Sequence, residues 1–148
     1  MRVIIIGGVA GGMSAATRLR RLDESAEIIV LEKSGHVSYA NCGLPYYVGG
    51  VIENEKDLLL QTPASLHARF RLDVRVSTEV LAINPSKKVV AIKNLVNGET
   101  SELDYDKLFA GQSDYWRSSV RESTTGTLDV TICIDTTTPA SKRSEDIL

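Results

Sequence analysis

The chain begins with an apolar run at positions 3–6, Val-Ile-Ile-Ile, preceded by a single arginine, Arg2. A short segment that is apolar at every position, and β-branched throughout, suits a strand buried on both faces of a parallel sheet. The stretch Gly7-Gly-Val-Ala-Gly-Gly12 breaks it. From Gly12, the residues Met13, Ala16, Leu19 and Leu22 recur at helical spacing, with Arg18, Arg20, Arg21 and Asp23 between them. That pattern predicts an amphipathic helix of about three turns. A second apolar run over 27–31 ends at Glu32-Lys33 and reads as another buried strand. Strand, helix and strand form a βαβ unit, whose right-handed crossover lays the second strand beside the first.

Farther along, Thr62-Pro63 has the character of an N-cap followed by proline at the first helical position, predicting a helix to about Phe70. Positions 73–76, 80–84 and 88–93 read as strands, with turns at Asn84-Pro85 and Asn97-Gly98, and a small antiparallel sheet is expected there. Beyond Leu108 the character changes. Residues 111–148 are rich in Ser and Thr with weak periodicity and close on the polar run 141–146, so poor order is expected.

The glycine stretch gains meaning from its flanks. A strand, a glycine-rich turn, a helix and an acidic residue closing the next strand make up the dinucleotide-binding fingerprint. Gly7 allows the tight turn, Gly12 lets helix and strand approach closely, and the helix N-terminus offers unpaired N–H groups to a pyrophosphate. Glu32, 20 residues after Gly12, is placed to accept hydrogen bonds from ribose hydroxyls. The middle glycine of the motif is replaced by Val9, so Gly8 and Gly11 must supply the close backbone approach. The competing reading, glycines that serve helix packing alone, does not account for Glu32. The expected fold class is therefore α/β: a partial Rossmann-like domain with a parallel sheet, a βαβ unit and a small antiparallel sheet.

Composition adds mainly exclusions. A chain of 148 residues has room for about one domain. With 17 basic against 19 acidic side chains, nothing points to a nucleic-acid or membrane surface. The apolar opening carries four glycines and resembles neither a secretory leader nor a membrane span, so a cytoplasmic protein is expected. Two cysteines, Cys42 and Cys133, give no disulfide framework and no metal-ligand spacing. His36 and His67 read as surface residues.

Cys42 lies in the segment Ser38-Tyr-Ala-Asn-Cys-Gly-Leu-Pro-Tyr-Tyr47, just where a helical turn containing Pro45 could begin. A thiol at a helix start is favoured as thiolate, the form that attacks a disulfide; the alternative is a buried structural cysteine. Taken with the glycine turn and the strand ending at Glu32, the segment resembles the single-cysteine branch of the FAD-dependent pyridine nucleotide-disulfide oxidoreductases, and within it the coenzyme A disulfide reductases. The likeness covers residues 1–108. It implies FAD held by Gly7, Gly8, Val9, Ala10, Gly11, Gly12, Glu32 and Lys33, with Val80 where the chain passes the adenine. It implies Cys42 as the redox-active nucleophile, NAD(P)H as electron donor in the full-length family, a homodimer there, and coenzyme A disulfide or a related small thiol as substrate. Ser14, Arg18, Arg21, Ser38 and Asn41 are the implied substrate contacts; from spacing alone the arginines would read as a solvated helix face.

In two-cysteine relatives a partner follows five residues on, and that position here is Tyr47. Chemistry through Cys42 alone requires a mixed disulfide, a persulfide or a sulfenic acid. Peroxidase and oxidase relatives carry histidine in the glycine turn, where this chain has Ala10, which favours the disulfide substrate. An NADH oxidase, peroxidase or persulfide reductase of the same family, and a nucleotide-binding fragment without catalysis, are the alternatives. After Leu108 the resemblance stops. Codons for the sequence from Phe109 onward can be chosen so that a one-base shift restores a Ser-Pro-Gly turn of the family type. Residues 109–148 are accordingly expected to be a frameshifted tail, and the chain a truncated, inactive form.

Overall fold

The computed structural model describes residues 1–110 and two further segments, 117–122 and 128–133. Strand β1 (Arg2–Ile6) lies inside a four-stranded sheet of order β3-β2-β1-β7, formed with β2 (Glu27–Leu31), β3 (Asp73–Arg75) and β7 (Lys107–Ala110). All three pairings are parallel, with Arg2 opposite Glu27 and Ile6 opposite Leu31. Alternate residues of the apolar runs fill opposite faces, because side chains in a strand alternate. Val3, Ile5, Ile28 and Val30 pack with Met13, Ala16 and Leu66 from the helices α1 (Ala10–Leu22) and α3 (Pro63–Phe70). Ile4, Ile29 and Leu31 pack on the other side with Val90 and Ile92 of an antiparallel sheet. That sheet has the order β4-β5-β6, from Thr78–Asn84, Val89–Asn94 and Thr100–Asp104. The doubly apolar runs are thus explained by a helical layer on one face and a second sheet on the other.

Three expectations are corrected. The strand at 73–75 joins the parallel sheet beside β2 instead of the antiparallel one. Strand β6 was not anticipated, because Thr100-Ser-Glu-Leu-Asp104 is a mostly exposed edge with almost no apolar face to announce it. On α1, Leu22 is 67% exposed while Arg20 is buried. Helical geometry at about 100° per residue puts Arg20 about 20° from Met13 and Leu22 about 180° away, so the inward stripe runs through positions 13, 16 and 20.

The ends of the helices are defined by side chains. Thr62 accepts from Ser65 N–H at 3.2 Å and Ser65 Oγ accepts from Thr62 N–H at 3.0 Å, a reciprocal capping box ahead of α3. After α1, the Asp23 carboxylate accepts from Ser25 Oγ at 2.7 Å, Ser25 N–H at 2.9 Å and Ala26 N–H at 3.1 Å. These bonds, the Ser25 hydroxyl foremost, hold its carboxyl below the usual range and fix the turn into β2.

Separately, β8 (Arg117–Glu122) and β9 (Leu128–Cys133) form an antiparallel ribbon with Arg117 opposite Cys133. Apart from that ribbon, the expectations for 111–148 lie outside the described residues. Among the described residues no helix is long and apolar enough to cross a membrane.

Gly12 is the tightest point of the fold: a Cβ there would stand 1.9 Å from the Gly7 carbonyl oxygen. Alanine is the better helix former by about 1 kcal/mol, and overpacking typically costs about 1–3 kcal/mol. Against a backbone atom the clash wins. Gly12→Ala is expected to lower stability by about 2 kcal/mol in urea unfolding; an unchanged midpoint would contradict the close approach.

Candidate active site

The site begins where β1 ends. Gly7 takes φ +94°, a left-handed conformation that glycine adopts without penalty, and its N–H donates to Leu31 O at 2.8 Å. Gly8 is buried, with room for no more than its hydrogens: a Cβ would lie 3.0 Å from Val37 Cγ2 and 3.1 Å from Glu32 Cβ. Glu32 closes the turn, accepting from Gly8 N–H at 2.6 Å and from Ser34 N–H at 2.8 Å. Each carboxylate oxygen can accept more than one hydrogen bond, so capacity remains for a hydroxyl.

Val9 is the N-cap of α1 and offers no side-chain acceptor, and the first turn holds no acidic residue. The opening amides of a 13-residue helix are thus left without a side-chain partner, on a turn too tight for any side chain at Gly12. These features fit the pyrophosphate of a dinucleotide such as FAD. Lys33 pairs with Glu79 at 2.7 Å. Val80 is half-buried and packs against the cluster around Ile4 and Ile29.

The cysteine segment is tied to the same turn. Ser38 N–H donates to Gly8 O at 2.7 Å, and Ala40 N–H to Leu58 O at 2.8 Å. Ser38 itself sits at φ +54°, a strained conformation for a residue with a side chain. Asn41–Gly43 form a single turn of 3₁₀ helix, followed by the five-residue α2 (Leu44–Val48) with Pro45 in its first turn. Cys42 therefore does not open the helix; it precedes the N-cap, Gly43. The turn is forced close to the chain below it, since a Cβ on Gly43 would stand 2.5 Å from Leu58 Cδ2. The thiol is exposed and free, which excludes the buried structural cysteine.

Between these pieces lies a cavity of about 590 Å³. It is lined by Val9, Ala10, Met13, Ser14 and Thr17 of α1 and its N-cap, by Ser38, Tyr39, Ala40, Asn41 and Cys42 of the cysteine segment, and by Leu60, Gln61, Leu66, Arg69 and Phe70 in and just ahead of α3. Its size is that of a small-molecule pocket. Of the sequence-derived substrate contacts, Ser14, Ser38 and Asn41 meet Cys42 here, whereas Arg18 and Arg21 are exposed on α1 and absent from the lining. The charged side chain at the lining is Arg69, whose guanidinium lies 5.2 Å from the ring centroid of Phe70. Nothing in the sequence near Cys42 points to Gln61, Arg69 or Phe70, because α3 and the residue ahead of its N-cap reach the cavity only through the fold. His36 and His67 are both exposed.

Residues 1–111 match the family model for pyridine nucleotide-disulphide oxidoreductases. The chain belongs to that family. Members depend on FAD and NAD(P)H. Coenzyme A disulfide reductase of Staphylococcus epidermidis is 42% identical over 107 residues, 72% of this chain and 24% of the relative. The chain thus spans about a quarter of the length of that curated relative. Among solved structures, reduced CoADR-RHD of Bacillus anthracis is 47% identical with a TM-score of 0.73, over 81% of this chain and 21% of that one. A NAD-dependent persulfide reductase from A. fulgidus is 38% identical with a TM-score of 0.72, over 82% and 22% respectively.

The strain at Ser38 gives a direct check on this geometry. Left-handed backbone costs an L-residue about 1–2 kcal/mol, and glycine gives back about 0.5–1 kcal/mol of that in unfolded-state entropy. Ser38→Gly is expected to raise unfolding stability by about 0.5–1 kcal/mol and Ser38→Val to lower it. The reverse order in urea melts would show that Ser38 is not held left-handed.

Proposed function

We propose that this chain carries the FAD pyrophosphate turn and the redox-active cysteine of a coenzyme A disulfide reductase. The observation that supports the reading most is the single cavity joining the uncapped end of α1 to the exposed Cys42 thiol. In this reading Gly7, Gly8, Val9, Ala10, Gly11 and Gly12 hold the dinucleotide with Glu32, Lys33 and Val80, while Ser14, Ser38 and Asn41 orient the substrate beside the sulfur. Arg18 and Arg21 would act from outside the lining, on the phosphates of a nucleotide arm that extends past it.

The Cys42 thiolate attacks one sulfur of coenzyme A disulfide. A Cys42–sulfur bond forms, the substrate disulfide breaks, and one coenzyme A leaves as thiolate with the bonding electrons. The residue five positions on is Tyr47, so no neighbouring thiol resolves the mixed disulfide. What FAD supplies when bound is the electron pair, delivered from NAD(P)H, that releases the second coenzyme A. Turnover is proposed for a protein of the relatives' length, a homodimer in the cytoplasm. The 148-residue chain by itself is proposed to be inactive in turnover, its residues 112–148 lying beyond the family match.

Ala10 weighs against an oxidase or peroxidase, since a methyl group stands in the cavity beside Cys42 where those relatives place an imidazole. The persulfide reductase likeness keeps a second substrate in view, and both would use the same nucleophile.

Incubation of the chain with coenzyme A disulfide is expected to add one coenzyme A by mass to Cys42, with release of one free thiol. Cys42→Ser should remove the adduct at that position, because a hydroxyl cannot form the mixed disulfide. An equal adduct at Cys42 with simple alkyl disulfides and no preference for coenzyme A would refute the substrate assignment. FAD is expected to bind this chain weakly, and Gly12→Val to abolish the flavin fluorescence change; tight stoichiometric retention would show the half-site to be sufficient.

A further inference from the structure

Arg20 is 8% exposed and is the one charged side chain among the described residues' buried set. Four main-chain carbonyls accept from it. Nε donates to Phe70 O at 2.9 Å and Nη2 to Arg71 O at 3.1 Å. Nη1 donates to Glu24 O at 2.7 Å and to Asp23 O at 3.3 Å. Two of these acceptors lie just past the end of α1 and two at the end of α3. A helix C-terminus carries about half a negative charge, so two such ends facing one guanidinium offset its charge without a carboxylate. The planar fork reaches both helices at once, which the single ammonium of lysine cannot do.

We propose that Arg20 is a positioning residue that sets the separation of α1 and α3 and thereby the grip of the cavity on a substrate with a large nucleotide arm. Both helices line the cavity: Met13, Ser14 and Thr17 from α1, and Leu66, Arg69 and Phe70 from α3. Phe70 links the two roles directly, since its carbonyl accepts from Arg20 while the residue lines the cavity. Cys42 lines the same cavity from a segment anchored to Gly8 and Leu58 instead of to the clamp. Loss of the clamp therefore weakens recognition of the arm and leaves the sulfur chemistry intact. The inference rests on the coenzyme A reading above.

The test uses the full chain with Cys133→Ser, so that Cys42 is its sole thiol. Two probes are compared, the 2-pyridyl mixed disulfides of coenzyme A and of 2-mercaptoethanol. In each, Cys42 thiolate bonds to the non-pyridyl sulfur and pyridine-2-thiolate leaves with the electron pair, read by its absorbance. The unaltered clamp should favour the coenzyme A probe. Arg20→Lys and Arg20→Met are expected to reduce that preference about tenfold with less than a twofold change for the small probe. In Arg20→Ala, added ethylguanidinium should restore the preference and ethylammonium should not. Folded variants that keep the full preference would overturn the clamp alone. Parallel loss of both rates without guanidinium rescue would likewise overturn it. Absence of any preference in the unaltered chain would overturn the coenzyme A reading and, with it, the clamp.

Discussion

The architecture of the site depends on a missing methyl group. At Gly12 the first turn of α1 passes so close to the Gly7 carbonyl that no side chain fits between them. That approach seats the helix directly over the end of β1, so its uncapped amides open at the carboxyl edge of the parallel sheet, where open α/β sheets bind ligands. The same seating carries Ala10 and Ser14 to the wall of the cavity and Met13 and Ala16 into the core. One steric constraint thus sets the anion-facing end of the helix, its buried stripe and one wall of the cavity together.

How much of this could be read from the sequence follows from where each signal resides. The βαβ unit was legible because strands apolar on both faces and a glycine-rich turn are local patterns, and β1, α1 and β2 lie where those patterns put them. The edge strand β6 was not, since its side chains are polar and its order comes from pairing with β5. The membership of β3 in the parallel sheet is set by a crossover over α3, a long-range choice that a three-residue strand does not encode. Ser14, Ser38, Asn41 and Cys42, singled out from the cysteine segment and the first helix, line one cavity. Arg69 and Phe70 join them from a helix whose sequence carries only capping and amphipathic signals, and Gln61 from just ahead of its N-cap.

The arginines of α1 show why a charged residue's role is poorly legible from spacing. Arg18, Arg20 and Arg21 lie within a single turn, yet Arg18 and Arg21 face solvent while Arg20 is buried. Hydrophobic periodicity selected Leu22 as the inward residue, but the register set at Gly12 turns position 20 inward instead. The buried position is tolerable because four carbonyls at two helix ends are already there to accept from the guanidinium, an arrangement visible only once α3 has folded back against α1. Burial of that cation follows from tertiary structure and in turn fixes it.

The chemistry closes on the same geometry. A redox cysteine with a neighbouring partner thiol can complete disulfide exchange within its own loop and needs little room beside it. Cys42 has tyrosine at the partner position, and the segment around it is turned outward by the pinning of Gly43 against Leu58. In the disulfide reduction proposed above, the second sulfur would therefore arrive with the substrate, and the substrate would have to be held while the electrons follow. An exposed thiol lining a cavity large enough for a small-molecule arm suits both demands. On that reading, a cysteine without a resolving neighbour and the adjoining cleft are two aspects of one solution: omission of the resolving thiol calls for binding of the molecule that brings it.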